Sequence, residues 1–161
     1  REEPLVVEGI AVSSSVIRQM LTEGSVDKAA DLLGYNYFLS GVVISGRRIG
    51  RNLGFPTANI EPVFRYKLIP RDGVYAAIIT MEGNPEKHIA MVNIGSRPTF
   101  HDKEGKRSIE AHLIDFEGDL YGTRLCVRFL SRLRDEMKFQ NTDMLAEQLR
   151  KDRERTINLY R

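Results

Sequence analysis

The sequence predicts a mainly β protein: a closed antiparallel barrel with a C-terminal helix, preceded by a short helical segment. Two observations lead there. From Tyr35 onward, short apolar runs of period two are separated by turn residues, the pattern of strands. No helical stretch falls between these runs, which argues against a parallel sheet with crossover helices and leaves a barrel or a sandwich, of which the closed barrel is favoured.

The first 34 residues differ in kind from the rest. An apolar run from Pro4 to Val12 leads to Ser13–Ser15, which supply N-caps for a helix whose apolar face is Val16, Ile17, Met20 and Leu21 and whose stop is Gly24. Ser25 is placed to cap a second helix with Val26, Ala29, Ala30, Leu32 and Leu33 on its apolar face, and Gly34 suits the left-handed position after its end. Such a pair is too small to be stable alone. The strand candidates follow as Phe38–Ser45, Thr57–Ile60, Val74–Met81, His88–Ile94, Ser108–Phe116 and Arg124–Leu133, with turns at Asp72-Gly73, Gly83-Asn84-Pro85, Lys103–Gly105 and Gly118-Asp119. Thr142 is placed to cap the last helix, which runs to about Tyr160 with Leu145, Leu149, Thr156, Ile157 and Tyr160 along one stripe.

Composition narrows the function classes. With 42% hydrophobic and 29% charged residues the chain is an ordinary globular one, and its net charge of +2 with 8% aromatics gives little for nucleic acid to bind. Cys126 is the only cysteine, which excludes an intrachain disulfide or a multi-cysteine zinc site and suits a reducing cytoplasm. No apolar run is long enough to span a bilayer as a helix. The chain opens on Arg1 and not on methionine, which suggests a fragment, a processed product or a trimmed chain, with an upstream part missing.

Three motifs bear on chemistry. In Gly46-Arg-Arg-Ile-Gly-Arg-Asn-Leu-Gly-Phe-Pro-Thr-Ala-Asn59, the glycines Gly46, Gly50 and Gly54 allow tight turns and close approach of backbone N–H groups to an anion, while Arg47, Arg48 and Arg51 supply positive charge. The competing reading is a hairpin loop with solvated arginines. Thr57 and Asn59, two apart, share a strand face and offer a hydroxyl and an amide oxygen, hard donors that suit a nucleotide-bound magnesium; strand-start residues beside Pro56 look the same. In Ser108–Phe116, alternation puts Glu110, His112, Ile114 and Phe116 on one face, so Glu110 shares its face with apolar groups and is a candidate general base; the plain alternative is a salt bridge. His88, His101 and His112 show no metal spacing and are read as structural or solvent-facing.

The motifs Gly50-Arg-Asn-Leu-Gly-Phe-Pro-Thr-Ala-Asn-Ile60, Asp72-Gly-Val-Tyr-Ala76, Asn93-Ile-Gly-Ser-Arg-Pro-Thr-Phe100, Glu110-Ala-His-Leu-Ile-Asp-Phe116, Asp119-Leu-Tyr-Gly122 and Leu133-Arg-Asp-Glu-Met-Lys-Phe139 together resemble riboflavin kinases, in order, from about Tyr35 to the end. The resemblance implies a six-stranded antiparallel barrel with a C-terminal helix, residues 35–161, that phosphorylates riboflavin to FMN with ATP. It implies an ATP site at Gly46, Gly50, Arg51, Gly54, Thr57 and Asn59, with Thr57 and Asn59 holding Mg²⁺, Glu110 as base toward the ribityl 5′-hydroxyl, and Arg134 and Phe139 near the flavin. FMN is then product, and no tightly bound organic cofactor is implied. Val12-Ser-Ser-Ser-Val-Ile-Arg18 resembles the end of the adenylyltransferase domain of bacterial bifunctional FAD synthetases, so residues 1–34 are expected to be its remnant. The expected partners are riboflavin, ATP and an upstream adenylyltransferase domain in the parent chain, without nucleic acid or membrane. The alternatives are a catalytically silent flavin- or nucleotide-binding module and a nucleic-acid-binding barrel.

Overall fold

The computed structural model describes residues 3–44, 54–96 and 107–161. A small hairpin, β1 (Val6–Val7) and β2 (Ile10–Ala11), turns through Glu8 and Gly9, both at positive φ. The helices α1 (Ser14–Glu23) and α2 (Val26–Leu33) follow, then β3 (Phe38–Ile44), β4 (Ala58–Pro62), β5 (Gly73–Met81), β6 (Asn84–Ser96), β7 (Arg107–Leu113) and β8 (Arg124–Arg134), and finally α3 (Thr142–Tyr160). The six strands from β3 to β8 close into an antiparallel barrel in the order β3-β4-β7-β6-β5-β8, with β8 pairing back onto β3. Closure removes the unpaired edges that an open sheet would leave.

Alternation decides which side chains fill the barrel. Leu39 and Val43 of β3, Ile60 of β4, Tyr75, Ala77 and Ile79 of β5, Val92 and Ile94 of β6, Ile109, Ala111 and Leu113 of β7, and Val127 and Phe129 of β8 form one buried cluster. The residues between them point outward. Register shifts in the β5–β8 pairing insert extra residues near Leu130 and Leu133, and Val74, Ala76 and Leu133 form a separate small cluster.

The helical pair is part of this core. Leu21, Val26 and Ala29 belong to the same buried cluster as the barrel residues, and the Arg71 amide donates to the Leu21 carbonyl at 3.0 Å. Gly24 closes α1 at φ 84, as expected of a left-handed C-cap, and a Cβ there would lie 2.6 Å from Cδ of Arg132. Ser13 caps α1 by accepting from the Val16 amide, whereas Ser25 makes no side-chain capping bond at α2.

The last helix differs in detail from the expected stripe. Its N-cap is Asn141, not Thr142, and the Asn141 side chain accepts from the Met144 amide. Ala146, Asp152 and Thr156 are the buried positions, and Tyr160 is exposed. A carboxylate occupies the inward stripe because Arg134 of β8 meets it: Arg134 Nε lies 3.1 and 2.9 Å from the two Asp152 oxygens, its terminal Nη2 lies 2.8 Å from one of them, and Gln148 adds a third donor at 3.0 Å. Full burial of Asp152 is tolerable because it is so engaged.

Candidate functional site

β7 carries the predicted base, and its neighbours define the site. Ile109, Ala111 and Leu113 face the interior, so Glu110 and His112 face outward. Glu110 stands directly opposite Asn59 of β4 on one side and Asn93 of β6 on the other. The row continues through Val74 of β5, the partner of Asn93, to Arg134 of β8, the partner of Val74. Asn59, Glu110 and Asn93 thus make three adjacent polar positions across three strands, with cross-strand side chains about 4.5–5.5 Å apart at Cβ.

Asn93 was not singled out from its type, but its row position sets it beside the predicted base. Its Oδ1 is buried and accepts no hydrogen bond among the described residues. Two residues on, Gly95 leaves the space in which the Glu136 carboxylate lies, so the loop after β8 reaches back over β6 beside this row. Register, which sequence alone did not supply, was the signal needed for both.

Thr57 sits one residue ahead of β4, exposed, at the rim of a cavity of about 760 Å³. Val43, Ala58, Leu113, Phe116 and Leu120 give the cavity apolar walls, and Asp119 lies at its edge. Its size and lining suit an organic ligand. A smaller cavity of about 260 Å³ beside Ser40, Phe64 and Cys126 contains none of the predicted site residues.

The other predicted residues fall as follows. Gly54 adopts φ 79, as a tight turn requires, with nothing within 4 Å of a Cβ placed there. Gly46, Gly50 and Arg51 lie outside the described residues. Arg134 is engaged by Asp152 and by the Asp135 carbonyl, and its guanidinium carbon lies 5.9 Å from the centre of the Phe139 ring. The structure therefore brings Asn59 and Glu110 together, puts Thr57 at the adjoining rim, and sets Arg134 with Phe139 three strands from Glu110 along the same row.

One expected alignment fails. Phe116 does not share a face with Glu110, because β7 ends at Leu113 and Asp115 takes φ 56, which turns the chain. Ile114 packs outside with Phe55 and Met91, whereas Phe116 joins the barrel cluster and meets His88 edge-on at 5.2 Å.

His112, expected to be structural or solvent-facing, is buried. Its Nδ1 lies 2.8 Å from the Pro56 carbonyl oxygen. Burial holds its pKa below the ordinary imidazole value; the hydrogen bond to Pro56 opposes that shift and Arg153 adds to it.

Among the described residues no helix is long and apolar enough to cross a membrane. The family model described as Flavokinase, riboflavin kinase, matches residues 33–160. A bifunctional riboflavin kinase/FMN adenylyltransferase of Bacillus subtilis is 40% identical over 159 residues, covering 98% of this chain and 49% of the relative. The protein of the same name from Listeria monocytogenes is 41% identical over 145 residues, covering 90% of this chain and 45% of its own. The chain thus spans about half the length of the curated relatives it matches. Of solved structures, one of a Streptococcus pneumoniae protein named as a macrolide-efflux protein superposes with a TM-score of 0.89 at 36% identity, over 96% of this chain and 49% of that one. Riboflavin kinase from Trypanosoma brucei superposes with a TM-score of 0.53 at 22% identity, over 76% of this chain and 75% of that one, a likeness of fold. Matched over nearly all of its barrel and its last helix, the chain belongs to the riboflavin kinase family.

Proposed function

We propose that this chain transfers the γ-phosphoryl group of ATP to the ribityl 5′-hydroxyl of riboflavin, giving FMN and ADP. The observation that carries this reading is the register of Asn59 and Glu110, side by side on β4 and β7 next to a rim bearing Thr57, in a chain of this family. Phosphoryl transfer asks a protein for positioning, charge neutralisation and a base, and these three residues supply chemistry of that kind.

In this reading the Glu110 carboxylate takes the hydroxyl proton while the alcohol oxygen bonds to the γ-phosphorus. The bond from that phosphorus to the bridging oxygen breaks, and ADP leaves with its electron pair. A well-placed base contributes roughly 10² to 10⁴-fold. Among the described residues no group of three or more His, Cys, Asp or Glu is placed to hold a metal. The hard oxygens of Thr57 and Asn59 do fit an ion that arrives with the nucleotide, and these two residues would hold it. Magnesium bound there supplies charge neutralisation at the phosphates. Arg134 and Phe139 we place on the flavin side, with Asp152 fixing the guanidinium, and Gly46, Gly50, Arg51 and Gly54 on the phosphate side.

Residues 1–34 we assign to the end of a preceding adenylyltransferase domain, kept in this chain as a plug for the barrel; the parent protein would make FAD, whereas this chain would stop at FMN. The reducing cytoplasm is the proposed compartment. An assay of the purified chain with riboflavin, ATP and magnesium, with riboflavin, FMN and FAD separated by chromatography, tests the whole reading. FMN alone is expected. Bound but unconverted riboflavin would replace the kinase by a silent binding module, and failure to bind riboflavin would overturn the reading.

A further inference from the structure

His112 has no part in the chemistry proposed above, yet it makes a specific contact beside it. It lies two residues beyond Glu110 on the outer face of β7, opposite Met91 of β6. The Pro56 carbonyl can only accept, so the Nδ1 that lies 2.8 Å from it carries the proton. The imidazole also meets the Phe55 ring edge-on, centroids 5.2 Å apart. Phe55 is itself buried with Met91 and Ile114 against Leu149 and Ile157 of α3.

Among the described residues the turn so held has few other means of attachment. Gly54 is at φ 79, Pro56 has no N–H to donate, and the first residue of β4 is Ala58, so among the described residues no sheet pairing fixes residues 54–57. The next residue, Thr57, is the one at the cavity rim. Phe55 anchors the turn by packing, and His112 anchors it by direction.

We propose that His112 is a positioning residue for the nucleotide side of the site: its Nδ1–H latches the Pro56 carbonyl and thereby sets the Thr57 hydroxyl, and through β4 the Asn59 amide, where Mg·ATP meets the barrel. The inference rests on the kinase reading for the identity of that nucleotide. Removing the donor loosens nucleotide binding; restoring an N–H at similar reach recovers it.

The test is calorimetric titration of the chain with Mg·AMP-PNP, and separately with riboflavin, for the unaltered protein, His112→Leu and His112→Asn. For His112→Leu the nucleotide Kd is expected to rise about five- to tenfold, the worth of one hydrogen bond, with riboflavin binding kept within about twofold. The KM for ATP rises in step, and His112→Asn restores most of the loss. Unchanged nucleotide binding in His112→Leu would overturn the latch, as would equal loss of both ligands without recovery in His112→Asn. Should His112→Leu fail to fold, nitrogen NMR of the unaltered chain decides: protonated Nδ1 with bare Nε2 supports the latch, and the opposite tautomer overturns it. If the unaltered chain binds Mg·AMP-PNP but forms no FMN, the kinase reading falls while the nucleotide titrations still decide the latch; if it binds no nucleotide, both fall.

Discussion

Glu110 of β7 and Asn59 of β4 are direct cross-strand partners, so the proposed base and the proposed metal ligand are fixed relative to each other by the sheet itself. Their separation does not depend on a mobile loop. Glu110→Gln is expected to keep riboflavin and Mg·ATP binding and to lower kcat by at least about tenfold, the low end for a lost general base. Steady-state kinetics on both substrates check this, and unchanged kcat removes Glu110 from the mechanism. Asn59→Ala is expected instead to weaken Mg·ATP while sparing riboflavin; a titration showing the reverse would move Asn59 to the flavin side.

Asp152→Ala leaves the Arg134 guanidinium, with its side chain 13% exposed, without its carboxylate partner. Loss of one partner of a buried ion pair costs about 3–5 kcal/mol, and urea unfolding should register a fall of that size. Asp152→Asn, which keeps the acceptor oxygen, is expected to lose less.

Leu21 is 2% exposed and Val26 is fully buried, both in the cluster that fills the barrel. Leu21→Ala is therefore expected to cost about 2–5 kcal/mol, measured by denaturant unfolding. Removal of residues 3–34 should leave a barrel that binds a hydrophobic dye and loses its near-ultraviolet dichroism. A fully stable truncated barrel would show that the helical pair is dispensable.

Tyr37 donates its hydroxyl to the Leu68 carbonyl at 2.6 Å, and burial, with Tyr35 adding, pushes its pKa from 10.0 up to about 12. The unfolded phenol ionises first as pH rises, so between these values proton loss favours the unfolded chain. The contribution is complete below pH 10 and is lost as pH approaches 12. Unfolding measured across this window should show stability declining, and Tyr37→Phe should flatten part of that decline.

The barrel was legible because inward and outward residues alternate in every strand, and Gly24 and Gly34 marked both helix ends. What stayed hidden depended on register and on long-range partners. Alternation put Glu110 and His112 on one face correctly, but the turn at Asp115 that takes Phe116 away has no signature of its own. The burial of Asp152 was not legible, because nothing in helical spacing names Arg134 as its partner. Asn93 and Glu136 approach the site only through the pairing of β6 with β7 and the fold-back of residues 135–139. The hairpin of β1 and β2 lay inside an apolar run whose turn, Glu8-Gly9, carried too little signal to divide it.

Helix α3 underlies both proposed subsites at once. Leu149 and Ile157 seat Phe55, just ahead of Thr57, while Asp152 grips Arg134 and Arg155 donates to the Leu133 carbonyl at 2.8 Å. The helix is a common keel for the nucleotide and flavin ends. A compound wedged beneath Leu149 would disturb both ends together while occupying neither, and its inhibition would be relieved by excess of neither ATP nor riboflavin.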